Sequence, residues 1–521
     1  MANVSPNSMS IKFCHLSKYL AWLIALSFLF FPLETPLLAS ERYFLLDISP
    51  RTFHEKEKVR SIIKKTDVFT KAEKFERNQA GATTVELHKD AFSQPSNNMT
   101  FEREMDFKLG NALFKKLWVS SPSSTLASDG LGPLYNARSC QRCHLKDGRG
   151  HPPQNSSDSS VSMVMKVAAP IPKSLVKETK NYLNSVAEPT YGNQIQDFAT
   201  IGHSAEATIE VTYEETEVKL SDGQNVWLRK PTYKLNNMAY GPMLKGTTIS
   251  PRVAPQMIGL GLLNAVPEHD ILSNADPHDL NGDGISGRAN FVWSKIYQKP
   301  MLGRFGYKAS SPNITEQTAS AFLNDIGISS TLLPAGYGDC TSSQDKCRKA
   351  PNGNSGLIDE KEISNVGLDL VRFYATNLAV PKRRNPENSE VLMGKKVFYQ
   401  TGCTSCHVPK FVTHRLKNQP EQSFQLIWPY TDMLLHDMGQ ELADNMPDHL
   451  ANGREWRTAP LWGIGLTKRV SGHTYFLHDG RARSLLEAIV WHGGEAKKQR
   501  DQVINMRAED REALLKFLES L

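Results

Sequence analysis

Cys140-Gln-Arg-Cys143-His144 and Cys403-Thr-Ser-Cys406-His407 decide how the rest of this chain is read. Both spell Cys-x-x-Cys-His, the attachment pattern of c-type haem. The spacing has a chemical reason. Two thiols so placed reach the two vinyl groups of one porphyrin, and the next residue puts an imidazole beneath the iron. The protein then tunes that iron through its axial ligands and surroundings. One copy would also suit a zinc knuckle or a redox dithiol. Two complete copies point to two covalently bound haems, with His144 and His407 as proximal ligands.

The other bounds come from composition. At 521 residues the chain is long enough for two or three domains with sizeable cores. A net charge of +6 is small for this length, and no basic helix or aromatic-basic interleaving accompanies it, so nucleic acid is not an expected partner. Of the seven cysteines, Cys14 falls in a leader and four belong to the motifs. Cys340 and Cys347 remain, in a short polar loop where an oxidising compartment would join them.

Residues 1–40 read as a signal peptide: Lys12 and Lys18, an apolar run from Tyr19 to Phe31, then small residues at Ala39 and Ser40. The run is short for a membrane span, so a membrane is a partner only if the leader stays uncleaved. Export would place the protein in the periplasm. Residues 41–100 are a polar peripheral extension. Residues 101–340 form a first cytochrome c-like haem domain, with a β-rich insertion near 162–247 signalled by alternating runs such as Ala207–Tyr213 and Val226–Tyr233 around the turn Ser221-Asp-Gly223. Residues 341–390 are a linker and helix, and 391–521 a second cytochrome c-like haem domain. Two phrases support a duplication. Arg252-Val-Ala-Pro255 and Arg457-Thr-Ala-Pro460 each follow a motif and each run into a Gly-rich apolar turn. Gly110-Asn-Ala-Leu-Phe114 is likewise echoed by Gly394-Lys-Lys-Val-Phe398. The expected fold is mainly α: two duplicated haem domains with the β-rich insertion in the first.

Further phrases carry a family resemblance: Asp279-Leu-Asn-Gly-Asp-Gly-Ile-Ser-Gly-Arg288, Gly303-Arg-Phe-Gly-Tyr307, Leu434-Leu-His-Asp-Met-Gly439, and Phe476-Leu-His-Asp-Gly-Arg-Ala482 through Trp491-His-Gly-Gly-Glu-Ala496. With the two motifs they resemble the bacterial dihaem c-type oxidoreductases once called thiol oxidoreductases. These are distant relatives of the dihaem cytochrome c peroxidases and the rubber-cleaving dihaem oxygenase. The resemblance implies His492 as the sixth ligand of the second haem, with Met438 as its rival. It implies Glu268 as the acid that assists O–O cleavage. Internal alignment puts Phe322 where a distal group would lie at the first haem, and a Phe cannot ligate. His151, near the first motif, is a weaker candidate there. Tyr307 and Trp293 are candidate aromatics between the haems. Arg252 and Arg457 suit haem propionates, because guanidinium is bidentate. Asp279, Asn281 and Asp283 look like the first half of a calcium loop, but Asn290 stands where such a loop needs its last Glu.

The leading expectation is an oxidoreductase that takes electrons at the second haem, from a small redox protein or a quinol-linked cytochrome, and reduces hydrogen peroxide at an open first haem. Pure electron transfer between six-coordinate irons, and a dioxygenase-like activity, are the alternatives.

Overall fold

Each Cys-x-x-Cys-His motif is entered from a helix whose last turns hold an aromatic against the motif's histidine. The first, Phe101–Lys115, opens with Glu102 and Glu104 and closes with Lys115, charges that suit the helix dipole. The second, Ser389–Gln400, is capped by Asn388, whose side chain accepts from the Glu390 and Val391 amides. Phe114 lies 6.3 Å from the His144 ring, and Phe398 lies 6.2 Å from the His407 ring. The first entry helix packs on Asn365–Asn377, the second on the terminal helix Ala508–Ser520.

The computed structural model describes residues 45–84, 87–155, 158 and 162–521, so the expected leader lies outside the described residues. The architecture below is that of residues 46–521. No described helix is long and apolar enough to cross a membrane.

The turns after the two Arg-x-Ala-Pro phrases are built alike. Gly259 and Gly463 take φ of 71° and 73°, a left-handed backbone that favours glycine. Two residues on, a Cβ at Gly261 would stand 2.2 Å from the Thr376 carbonyl oxygen, and one at Gly465 would stand 2.0 Å from that of Glu519. Each phrase thus lets a loop lie directly on the helix that packs against an entry helix.

The expectation of a mainly α chain is overturned. Helix accounts for 31% of the chain and strand for 19%, the strands spread over eight small sheets among the described residues. The helices around each motif are short, and the connections between them pair into two-stranded ladders, such as Leu435–Asp437 with Glu455–Arg457, that no long alternating run announces.

Two β elements position the site. Met163–Pro170 pairs antiparallel with Thr248–Val253, placing Ser250 opposite Lys166 and Arg252 opposite Val164. Thr208–Lys219 and Asn225–Asn236 form a twelve-pair hairpin. This hairpin does not stay with the first motif. The Arg229 amide donates to Glu487, its guanidinium donates to the Arg481 and Gly480 carbonyls, and Asp222 at the tip pairs with Arg511. The N-terminal segment also reaches across the chain. Glu76 is buried between Arg383 and Lys395, and Glu73 pairs with Lys395 and Lys410. Burial works against the ionised Glu76, but the two cations outweigh it.

Cys340 and Cys347 form a disulfide. Asp279, Asn281 and Asp283 spend side-chain oxygens on backbone amides within their own loop: Asp279 on Gly284, Asn281 on Asp283, and Asp283 on Ile285. Among the described residues no group of three or more His, Cys, Asp or Glu converges as a metal site.

Candidate functional site

The motif helix Cys140–Cys143 ends at His144, and the short turn Cys403–Ser405 precedes Cys406 and His407. All four cysteines are unbridged. Burial pushes the Cys140 and Cys403 thiols up to about 12 and raises those of Cys143 and Cys406. Each histidine is fixed from behind. His144 Nδ1 lies 2.8 Å from the Pro255 carbonyl, and His407 Nδ1 lies 2.8 Å from that of Tyr430. Backbone carbonyls require Nδ1–H, so Nε2 carries the lone pair that a metal takes. Burial holds both imidazoles down at about 4, hence neutral.

Both motifs line one cavity of about 980 Å³, at the upper end of the roughly 300–1,000 Å³ of small-ligand sites. His492 lines it too, with Nδ1 on the Ala488 carbonyl at 2.7 Å, and it lowers the pKa of His407 through space. Met438, Tyr307, Trp293, Arg252 and Arg457 are further lining residues. Arg457 has only carbonyl acceptors, Gly306 and Thr458, and burial lowers it to about 10. Arg304 likewise donates only to Leu263 and Val266 carbonyls and is lowered to about 10 by burial. Arg252 pairs with Asp448 at 2.8 Å but keeps a buried Nη2 without a partner, as Tyr307 keeps its hydroxyl. Donors left over around an apolar cavity suit the carboxylates of a haem. Fixed imidazoles, desolvated thiols and spare donors together fit the two haems the motifs imply.

Two expected residues stand elsewhere. Glu268 is exposed at the start of a short helix and does not line the cavity; it acts only through Arg304, whose charge it favours. Phe322 is buried in a core against Trp118 and does not line the cavity either. Local geometry corrects the alignment by one residue. Phe305 bridges Ser311 as Phe476 bridges Ala482, and Asn313 caps its helix through Glu316 as Ser484 does through Glu487. Eight residues past Ser484 stands His492; eight past Asn313 stands Ala321, which lines the cavity. His151 sits at 3.0 Å from the Pro152 carbonyl and beside His473, away from the cavity lining.

Sequence reading missed three groups. His436 is clamped between Asp432 at 2.8 Å and Glu495 at 2.7 Å, with Cys406 Sγ at 3.5 Å. Burial opposes its charge, but the Asp432 carboxylate outweighs it and the imidazole is held charged. His478 stacks on Trp456 at 3.7 Å, with Lys308 over the same indole, and its buried Nε2 has no hydrogen-bond partner; burial drives it down to about 3. Lys166 and Asp325 line the cavity near Cys140 and Cys143. His436 and His478 lay inside quoted phrases, Leu434–Gly439 and Phe476–Ala482; nothing local marked Asp325.

No curated protein matches the chain. A solved structure of hydrazine synthase from Kuenenia stuttgartiensis, pressurised with xenon, covers 51% of this chain and 88% of its own at 15% identity, with a TM-score of 0.21. A family model matches residues 76–521, nearly the whole described chain, and the protein belongs to the family described as "Di-haem oxidoreductase, putative peroxidase".

Proposed function

We propose that the protein is a periplasmic dihaem c-type oxidoreductase in which the second site takes in electrons and the first delivers them to hydrogen peroxide. Cys140 and Cys143 hold the first haem by thioether bonds, Cys403 and Cys406 the second. When bound, these groups supply the electron storage and the iron at which an O–O bond is reduced. The residues of the chain do the rest. His407 and His492 would hold the second iron between them, a pairing suited to electron transfer. His144 would hold the first. The carrying observation is that, counted from two helix caps built alike, Ala321 stands where the second half has His492. A methyl group cannot ligate, and it leaves room for a small oxidant. Arg252, Arg304 and Arg457 orient the haem carboxylates, and Tyr307 offers a further hydroxyl. A carboxyl and an ammonium, Asp325 and Lys166, line the first end of the cavity, which favours peroxide over the apolar pocket a dioxygenase-like reaction would use.

Low-temperature EPR of the ferric, dihaem-loaded protein tests the reading. One high-spin and one low-spin signal are expected, and His492→Ala is expected to convert the low-spin signal to high-spin. Two low-spin signals in the wild type would replace this reading with plain electron transfer.

A further inference from the structure

Behind the first motif lies a cluster of acids and amides of which the scheme above uses only Asp325. The wide turn Phe322–Ile326 brings Asp325 to the cavity wall, where its Oδ1 accepts from Gln194 Nε2 at 2.7 Å. Gln194 Nε2 also reaches Asn136 Oδ1 at 2.7 Å, and Asn136 Nδ2 donates to Asp197 Oδ1 at 2.8 Å. Gln194 and Asn136 are buried, and Asp197 is partly exposed. Four side chains therefore connect the cavity wall with the outside.

The amides are oriented by their surroundings. Three acceptors, Asp325 Oδ1, Asn136 Oδ1 and the Asn324 carbonyl, converge on Gln194 Nε2, and the Asn324 carbonyl also takes Gln196 Nε2 at 2.7 Å. This leaves the oxygens Gln194 Oε1, Gln196 Oε1 and Asn324 Oδ1 buried without a donor. Unpartnered buried acceptors each destabilise a fold, so three in one cluster are a poor way to build a core. They make sense where protons or water pass.

We propose that Asp325, refilled from solvent along Gln194, Asn136 and Asp197, supplies protons to the first haem cavity. The proposal rests on the peroxide-reducing reading. Hydrogen peroxide becomes two waters by taking up two electrons and two protons. The O–H bond of the Asp325 carboxyl breaks as its proton passes to a peroxide oxygen, and the carboxylate left behind regains a proton from the Asp197 side. The amides are not protonated; water held at their spare oxygens carries the charge.

The electrostatics agree. Burial raises Asp325, with Lys166 and the Gln194 hydrogen bond opposing, and burial pushes Asp197 up to about 7. Burial thus favours the protonated form of both, the form from which a general acid gives its proton. Besides Lys166 from the sheet, Cys140 and Cys143 of the motif feel Asp325, Cys143 also feels Asp197, and Asp339 acts on Lys166 from a neighbouring loop. Thioether sulfurs carry no charge, so haem attachment leaves Lys166 as the one cation among these groups.

The test counts protons. The full chain with both haems is reduced in weakly buffered solution at neutral pH, and a pH dye follows proton uptake as the first haem takes its electron. Wild type is expected to take up about one proton per electron. Asp325→Asn, which has the same size and keeps a partner for Gln194, is expected to lose about nine-tenths of that uptake. Asp197→Asn is expected to keep the total and slow its rate about tenfold. Uptake by Asp325→Asn equal to wild type overturns the proposal, as does an unchanged rate in Asp197→Asn. The Asp197 variant decides alone if Asp325→Asn fails to load haem. Peroxide turnover is measured in parallel. Uptake that depends on Asp325 in a protein without peroxide turnover keeps the proton route and removes the peroxidase reading.

Discussion

At the scale of single residues, His436 is held from both sides. It is 2% exposed, and both ring nitrogens are taken by carboxylates, one of which, Glu495, also accepts from Ser286 and the Asp437 amide. Removing the imidazolium leaves Asp432 and Glu495 without their cation, and breaking a buried pair costs about 3–5 kcal/mol. His436→Gln is therefore expected to lower stability by about that amount, read from denaturant midpoints. The two pentapeptides were legible because their chemistry is local, with thiols and imidazole neighbours in sequence. His436 was not, since no regular element announces that Asp432, four residues upstream, folds back on it, and Glu495 comes from far along the chain. Phe322 shows another limit. The matching caps Asn313 and Ser484, which only the structure shows, put Ala321 and not Phe322 in register with His492.

The long hairpin carries the argument at the scale of elements. Its strands and its Ser221-Asp-Gly223 turn are readable from alternation and turn chemistry, and they form as expected. Where the hairpin docks is not readable, because a strand pattern names a buried face without naming what covers it. The structure sets it against Leu485–Val490 and the Gly480–Arg481 turn, close in sequence to His492. Arg229 is the clamp, its guanidinium also lying over the rings of Tyr213 and Tyr475. Arg229→Ala strips two buried carbonyls of their donor, so a loss of about 2–4 kcal/mol is expected. Limited proteolysis should then cut at the hairpin tip much faster than in wild type. The second EPR signal should broaden as His492 loses its backing.

For the whole molecule, the buried carboxyls shape the response to pH. Burial pushes Glu206 up to about 8 from 4.5, although it accepts from the Gln196 amide and the Gln344 side chain. The folded state keeps this proton where the unfolded chain has lost it. Its contribution is therefore full below the unfolded value of 4.5 and is lost as pH rises through about 8. Glu206→Gln is expected to flatten the decline of the unfolding temperature across that window, and a decline as steep as wild type's would acquit Glu206. Reading the chain as successive domains treated neighbours in sequence as neighbours in space. The structure instead locks Glu73 and Glu76 onto Arg383, Lys395 and Lys410, and ties the hairpin of the first half to the last helices of the second. Contacts of such separation form slowly, because loop closure must precede them. Time follows from that geometry: a newly made chain stays open until its far end arrives, and all four motif thiols remain within reach of covalent chemistry before the cavity shuts around them.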